Sequence, residues 1–412
     1  MTGRIHSIDA VRGLCLLNIF INHITLGFSK EISFSKIGLS DAAEIFVLVS
    51  GISTYLFYGT FQIEVMTRGL WSRAIKLYVV NAAIVSLTLI IIIATDYLTG
   101  DIDILDQYIV DAIRLSGLEN SLWFMFSFQQ SVGYSVVLKL YMYFMLLCPA
   151  LIWLSSRMWW YALPPAVFIW AAAGQFDLVS RNSLTGEPFA LTILPWTLIF
   201  TCGIALGAAI KQGVRVPQSR LLTGLAFAYV FGYVVFVALI MPRWPAASDW
   251  FATRNDYFWL GGSKTYQSPL RLLHALSLVY LFISCPRAPL IRLLHQADPR
   301  SILCRLGRRS LPIFAFGAVV SVAADEALFA AHHFFGAKSL PSIAVELVFV
   351  ASGIAVMVAI ADRRWPFQLI SQRRVGAAHL TASGRSAVAM RGSSRHCRRS
   401  SARRSCRDRR AG

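Results

Sequence analysis

"DAVRGLCLLNIFINH", Asp9 to His23, is apolar enough to enter a bilayer and yet carries an aspartate, an arginine and a histidine. The rest of the chain shows which environment it belongs to. Hydrophobic residues make up 56% of the 412 and charged residues 15%, with a mean hydropathy of +0.58. A soluble domain is expected to be about one-quarter charged, so this composition excludes an ordinary soluble enzyme. About ten apolar runs fall near 8–27, 42–61, 74–95, 134–154, 159–174, 190–209, 221–241, 270–285, 311–334 and 341–361. Each approaches the roughly 17–25 residues that a helix needs to cross ~30 Å of hydrocarbon. The sequence thus predicts an all-α integral membrane protein of about ten transmembrane helices.

The first run is too long for a cleavable signal and no small-residue cleavage site follows it, so it is expected to remain as an anchor. Lys and Arg in short loops mark the cytoplasmic side. One alternate set of loops is basic: Arg68, Arg73 and Lys76; Arg157; Lys211, Arg215 and Arg220; and six arginines from Arg287 to Arg309. The other set holds Asp96, Asp101, Asp103, Asp106, Asp111 and Glu119 in one loop. Both termini are therefore predicted to be cytoplasmic.

The net charge of +18 is mostly tail: after residue 362 there are 14 arginines against one aspartate, Asp408, which accounts for 13 of those charges. Residues 1–362 are expected to form the membrane domain, and 363–412 a basic, disordered cytoplasmic tail that anchors topology. No nucleic-acid partner is expected. The seven cysteines have no paired spacing, and no metal site or phosphate-binding loop is indicated.

Chemistry must then come from the helices. Arg12 and His23 are eleven positions apart, which at ~100° per residue is three turns plus ~20°, so both project from one face, ~16 Å apart along the axis. Asp9 lies on that face and can pair with Arg12. Such a stripe must meet protein or water, because a charge at mid-helix costs roughly 2.5–3.5 kcal/mol in hydrocarbon. In the next run, "SDAAEIFVLVSG", Asp41 and Glu44 sit three apart on the outer turn. A short connection makes the two helices antiparallel neighbours, which places these acids level with His23. A carboxylate beside an imidazole raises its basicity, as a general base requires. Alternatively, Asp41 caps its helix and His23 is a satisfied core residue.

These residues carry a resemblance. Arg12, ten residues and then His23 resembles the Arg-x10-His signature of the acyltransferase type 3 superfamily. "SIDAVRGLCLLNIFINH", "GLSDAAEIFVLVSG", "LRLLHALSL" and "LGRRSLPIFAFG" resemble successive blocks of the OpgC family, which succinylates osmoregulated periplasmic glucans, over about residues 4–320. Two pairs depart from that family: its Trp-Gln is Trp196-Thr197 here, and its Leu-Pro-Leu-Tyr is Leu138-Lys139-Leu140-Tyr141.

The resemblance implies a membrane O-acyltransferase whose co-substrate, an acyl-CoA such as succinyl-CoA or acetyl-CoA, enters from the cytoplasm. No further cofactor is implied. His23 would deprotonate a hydroxyl of a periplasmic glucan or similar glycan, which attacks the thioester. Asp41 and Glu44 would support it, and Arg12, with Asp9, would bind the donor. Ser50, Asn22 and Tyr55 are possible oxyanion donors. A succinyl carboxylate would be met by Arg271 and His274, or by Lys139. Trp250, Tyr257 and Trp259 in the outer loop suit stacking on a sugar and suit an interfacial belt equally. Asp325, Glu326, His332 and His333 are expected at the solvated interface. The rival reading is a proton-coupled transporter or flippase for a polar or glycosidic solute, with His23, Asp41 and Glu44 as a relay.

Overall fold

A computed structural model describes residues 5–99, 105–130, 135–183, 186–254 and 257–362. The chain divides into two units, Met1–Ala361 and Asp362–Gly412. The tail after residue 362 lies outside the described residues.

The first unit is helical. Its elements are α1 (His6–Asn22), α2 (Phe34–Ile37), α3 (Ala42–Tyr58), α4 (Ile63–Thr99), α5 (Gln107–Ser116), α6 (Leu118–Phe126), α7 (Val136–Arg157) and α8 (Leu163–Gln175). They continue as α9 (Ile193–Lys211), α10 (Arg220–Val235), α11 (Pro245–Arg254), α12 (Pro269–Ser284), α13 (Pro289–His295), α14 (Ile302–Arg308), α15 (Ser310–Phe335) and α16 (Leu340–Asp362). A 3₁₀ turn, Phe28–Ile32, follows α1, and a π turn, Phe236–Ile240, extends α10. Each of the ten apolar runs is helical, but among the described residues six helices, α4, α7, α9, α10 with its π turn, α15 and α16, are long and apolar enough to cross a bilayer. The bent pair α12 and α13 makes a seventh if it is one span broken by 74°. The remaining runs are short: α1 and α3 have 17 residues each and α8 has 13.

Arg68, Arg73 and Lys76 lie within α4, which starts eleven residues before the apolar run and spans 37 residues. They are helical rather than part of a loop.

The boundaries follow local chemistry. Asp41 caps α3 by accepting from the Ala43 N–H at 2.7 Å, while the Glu44 carboxylate accepts from the Asp41 N–H at 2.9 Å. This reciprocal box satisfies two of the donors that a helix start leaves orphaned. Pro269 follows Ser268 at the first position of α12, where its missing N–H is no loss.

At the centre, α3 packs on α9, α1 on α14 and α4 on α7. The first two crossings are backbone on backbone. A Cβ on Gly13 would overlap the Leu303 carbonyl, and one on Gly307 the Asp9 carbonyl; Gly203 meets Leu48 in the same way. Phe144 and Phe200 stack between α7 and α9 with centroids 4.5 Å apart, and Trp196, a turn before Phe200, is fully buried. By contrast, α10 and α16 bury little surface against the rest of the chain. This frame fixes α1 and α3 at its middle, and they bring the polar residues of the first two runs together.

Candidate active site

His23 ends α1 as its C-cap, and its Nδ1 lies 2.7 Å from the Ile19 carbonyl. A carbonyl only accepts, so Nδ1 carries the proton in the neutral ring and Nε2 keeps the lone pair. The backbone itself thus sets the tautomer and orientation of the His23 ring. Next to it, the Asn22 Oδ1 accepts from the Ser33 hydroxyl at 2.9 Å and from Ser35, which leaves the amide Nδ2 to donate elsewhere. At the other end of the stripe, Arg12 donates from Nη2 to the Ser50 Oγ at 3.3 Å, joining α1 to α3. Asp9 has a partner that the sequence did not suggest, the Arg308 Nε of α14 at 3.4 Å. Ser50 lies nine residues beyond Asp41 on α3, ~14 Å down the axis at 1.5 Å per residue. It belongs to the Arg12 end of the stripe rather than to His23.

Asp41 and Glu44 carry duties besides any service to His23. Lys264 reaches Asp41 at 2.5 Å, and Arg271 lies 2.7 Å from Glu44 and 3.8 Å from Asp41. Two carboxylates and two cations balance, and Glu44 is wholly buried among them. Arg271 and His274, expected to meet a succinyl carboxylate, both have partners within the protein. Arg271 is already bound to carboxylate, and the His274 Nδ1 accepts from the Ser40 N–H at 3.3 Å and lies 2.7 Å from the Ser40 hydroxyl. The rings of Tyr229 and Tyr233 flank this histidine edge-on at 5.9 and 5.8 Å.

Lys264 sits in the segment 261–268, where Ser263, Gln267 and Ser268 are buried. Trp196 donates to the Lys264 carbonyl and Trp170 to that of Gln267, each at 2.9 Å, so tryptophans of α9 and α8 pin the segment from within.

The OpgC family profile, described as "OpgC protein", matches residues 4–366. This chain belongs to the OpgC family. No curated protein and no solved structure matches it. Membership of the OpgC family carries an acyltransferase-type function in glucan modification.

Within this OpgC protein, Lys139 does not reach out to the interface. It is 6% exposed, donates to the Phe128 carbonyl at 2.6 Å, and lies 4.3 Å from the ring centre of Phe189 and 5.9 Å from that of Phe128. The aromatic candidates stay open: Trp250 is 49% exposed, Tyr257 63% and Trp259 53%. Of these, Trp259 is held by a 2.9 Å bond to Gln175 and packs edge-on against Phe258.

The expectation of solvated acids on α15 is also corrected. Asp325 and Glu326 are buried. Asp325 accepts from the Leu26 N–H at 3.1 Å and the Thr25 hydroxyl at 2.9 Å. On α16, the buried Glu346 accepts from the N–H groups of Phe28 and Ser29 at 2.8 and 2.7 Å. These two acids clasp the turn that leaves His23. Of the histidines expected beside them, His332 is half-buried and His333 is exposed, and no group of three or more metal-binding side chains occurs among the described residues.

Sequence reasoning missed Lys264 and Glu346. Lys264 had one signal, a lone cation within the weakly polar run "GGSKTYQSPL"; Glu346 had only its place within an apolar span.

Proposed function

We propose that this OpgC-family protein is an O-acyltransferase that moves a succinyl group from cytoplasmic acyl-CoA to a hydroxyl of a periplasmic glucan. In this reading it works in the bacterial inner membrane with both termini cytoplasmic. The observation that carries the proposal is the Nδ1 contact of His23 with Ile19, because it leaves Nε2 as a base at one end of a stripe whose other end is Arg12.

The acceptor hydroxyl gives its proton to Nε2 as its oxygen attacks the thioester carbonyl. The carbonyl oxygen becomes an oxyanion, for which the Nδ2 of Asn22 is the nearest oriented donor in sequence to the base. One such donor contributes roughly 3–4 kcal/mol in soluble enzymes. The intermediate then expels CoA thiolate, which takes the proton back from His23, so charge and protons balance. Arg12, with Asp9 and Ser50 beside it, receives the phosphate-bearing part of the donor. Asp41 and Glu44 act with Lys264 and Arg271 as a charge-balanced wall beside the base, and Trp250, Tyr257 and Trp259 offer exposed rings to the sugar.

The test is release of CoA thiol by purified protein supplied with succinyl-CoA or acetyl-CoA and a β-glucan acceptor. Acceptor-dependent release that His23→Ala abolishes is expected. Absence of release from both thioesters, together with uptake of a glycosidic solute into protein-loaded vesicles, would replace the enzyme with a transporter.

A further inference from the structure

The buried charges of this protein are nearly all answered. Asp41 and Glu44 meet Lys264 and Arg271, and Asp9 meets Arg308. Asp325, Glu326 and Glu346 each accept two bonds from the loops beside them. Lys139 differs from all of these. The residue is 6% exposed, and the contacts of its ammonium are one carbonyl and two aromatic rings, with no carboxylate among the described residues. An ammonium has three N–H donors, so two of them have no acceptor among those residues. A cation held away from water without a counter-anion is costly, and inside a membrane domain it marks a functional position with a partner to be named.

A second observation comes from the same short segment. Gln130, two residues after the Phe128 carbonyl that Lys139 holds, is 1% exposed, and neither its amide nitrogen nor its amide oxygen has a hydrogen-bond partner among the described residues. Buried amides are almost always bonded, so this segment sets an unanswered amide close in sequence to the carbonyl that holds an unanswered ammonium.

The position is also suitable. Lys139 lies in the first turn of α7, and Phe189 precedes α9, whose first turn carries Trp196 on the Lys264 carbonyl. Two positions further along α7, the Tyr141 hydroxyl donates to the Phe46 carbonyl of α3 at 3.1 Å. The ammonium thus sits at the end of the bundle that also holds the Asp41 cap and its cations. Among the described residues it has no internal carboxylate to compete with, as Arg271 does.

We infer that Lys139, with the Gln130 amide, binds the free carboxylate of an anionic acyl group, and so selects a dicarboxylic over a neutral acyl donor. This inference rests on the acyl-transfer reading above for its substrate. The ammonium supplies charge and two donors, the amide supplies a further donor, and the phenyl rings keep water from competing.

The experiment measures equilibrium binding of succinyl-CoA, acetyl-CoA and the monomethyl ester of succinyl-CoA to full-length protein in detergent, then kcat/KM for the first two. Wild type should bind succinyl-CoA about tenfold to hundredfold more tightly than the methyl ester, the range of a charge-assisted hydrogen bond. Lys139→Met should collapse that ratio toward one, and Lys139→Arg should keep most of it. Equal binding of the acid and its ester by wild type would overturn the inference, and needs no variant to fold. A Lys139→Met protein that keeps the wild-type ratio would overturn it too. Acyl transfer without Lys139-dependent preference would sink this inference alone. A Lys139-dependent preference without any transfer would support it while sinking the enzyme reading.

Discussion

Breaking the pair between Glu44 and Arg271 provides the sharpest test of the charge-balanced wall. The Glu44 side chain is fully buried and that of Arg271 is 12% exposed, with Nη2 and Nε at 2.7 and 2.8 Å from the same carboxylate oxygen. Arg271→Met leaves the carboxylate with the Asp41 N–H as its hydrogen-bond donor. Removing one member of a buried pair costs about 3–5 kcal/mol. Glu44→Gln leaves Arg271 with Asp41 at 3.8 Å and the Gly262 carbonyl at 3.4 Å. Loss of charge-assisted hydrogen bonds there is worth about 1.5–3 kcal/mol. The double variant strands neither charge, and buried pairs replaced by neutral groups of similar volume often lose little. The sum of the single effects should therefore exceed the double effect by about 2 kcal/mol or more. The assay is unfolding of the four proteins in mixed detergent micelles. Single effects that add to within about 0.5 kcal/mol would refute the claim that Glu44 and Arg271 hold each other.

Two further outcomes are expected. Gly13→Ala or Gly307→Ala forces a methyl into a facing backbone carbonyl that no rotamer change relieves. The loss should lie near or above ~3 kcal/mol, the upper end for overpacking, read in the same micelle assay, while Gly224→Ala, whose Cβ meets open space, should not show it. Asp325→Asn and Glu346→Gln each turn an amide NH2 against a donor in the turn after His23. Displacement of the base should lower kcat by about tenfold or more with KM for acyl-CoA little changed; a rise in KM at constant kcat would contradict a positioning role.

The legible and illegible parts of this site divide along sequence distance. The stripe from Arg12 to His23 and the Asp41–Glu44 box were read from local spacing, and the box forms as a reciprocal cap at the start of α3. What those residues bind was hidden. Lys264 and Arg271 reach Asp41 and Glu44 from 223 and 227 positions away, and no local pattern announces a partner so distant. The apolar runs and the helices differ in length for a related reason. Hydropathy recognises apolar runs, but α1, α3 and α8 are shortened by turns and loops that packing imposes.

The acids of α15 and α16 fail differently. Asp325 and Glu346 are answered chiefly by backbone N–H groups, which carry no letter in the sequence, so nothing in the run of side chains shows that such a charge is already satisfied. The same logic separates Arg271 from Lys139. Both are basic residues near helix starts, equivalent as letters, but carboxylates already meet the first, whereas among the described residues the second meets a carbonyl and two rings. A buried charge takes its role from the counter-charge its surroundings do or do not supply, and that criterion is what sets Lys139 of α7 apart as the proposed place for a substrate anion.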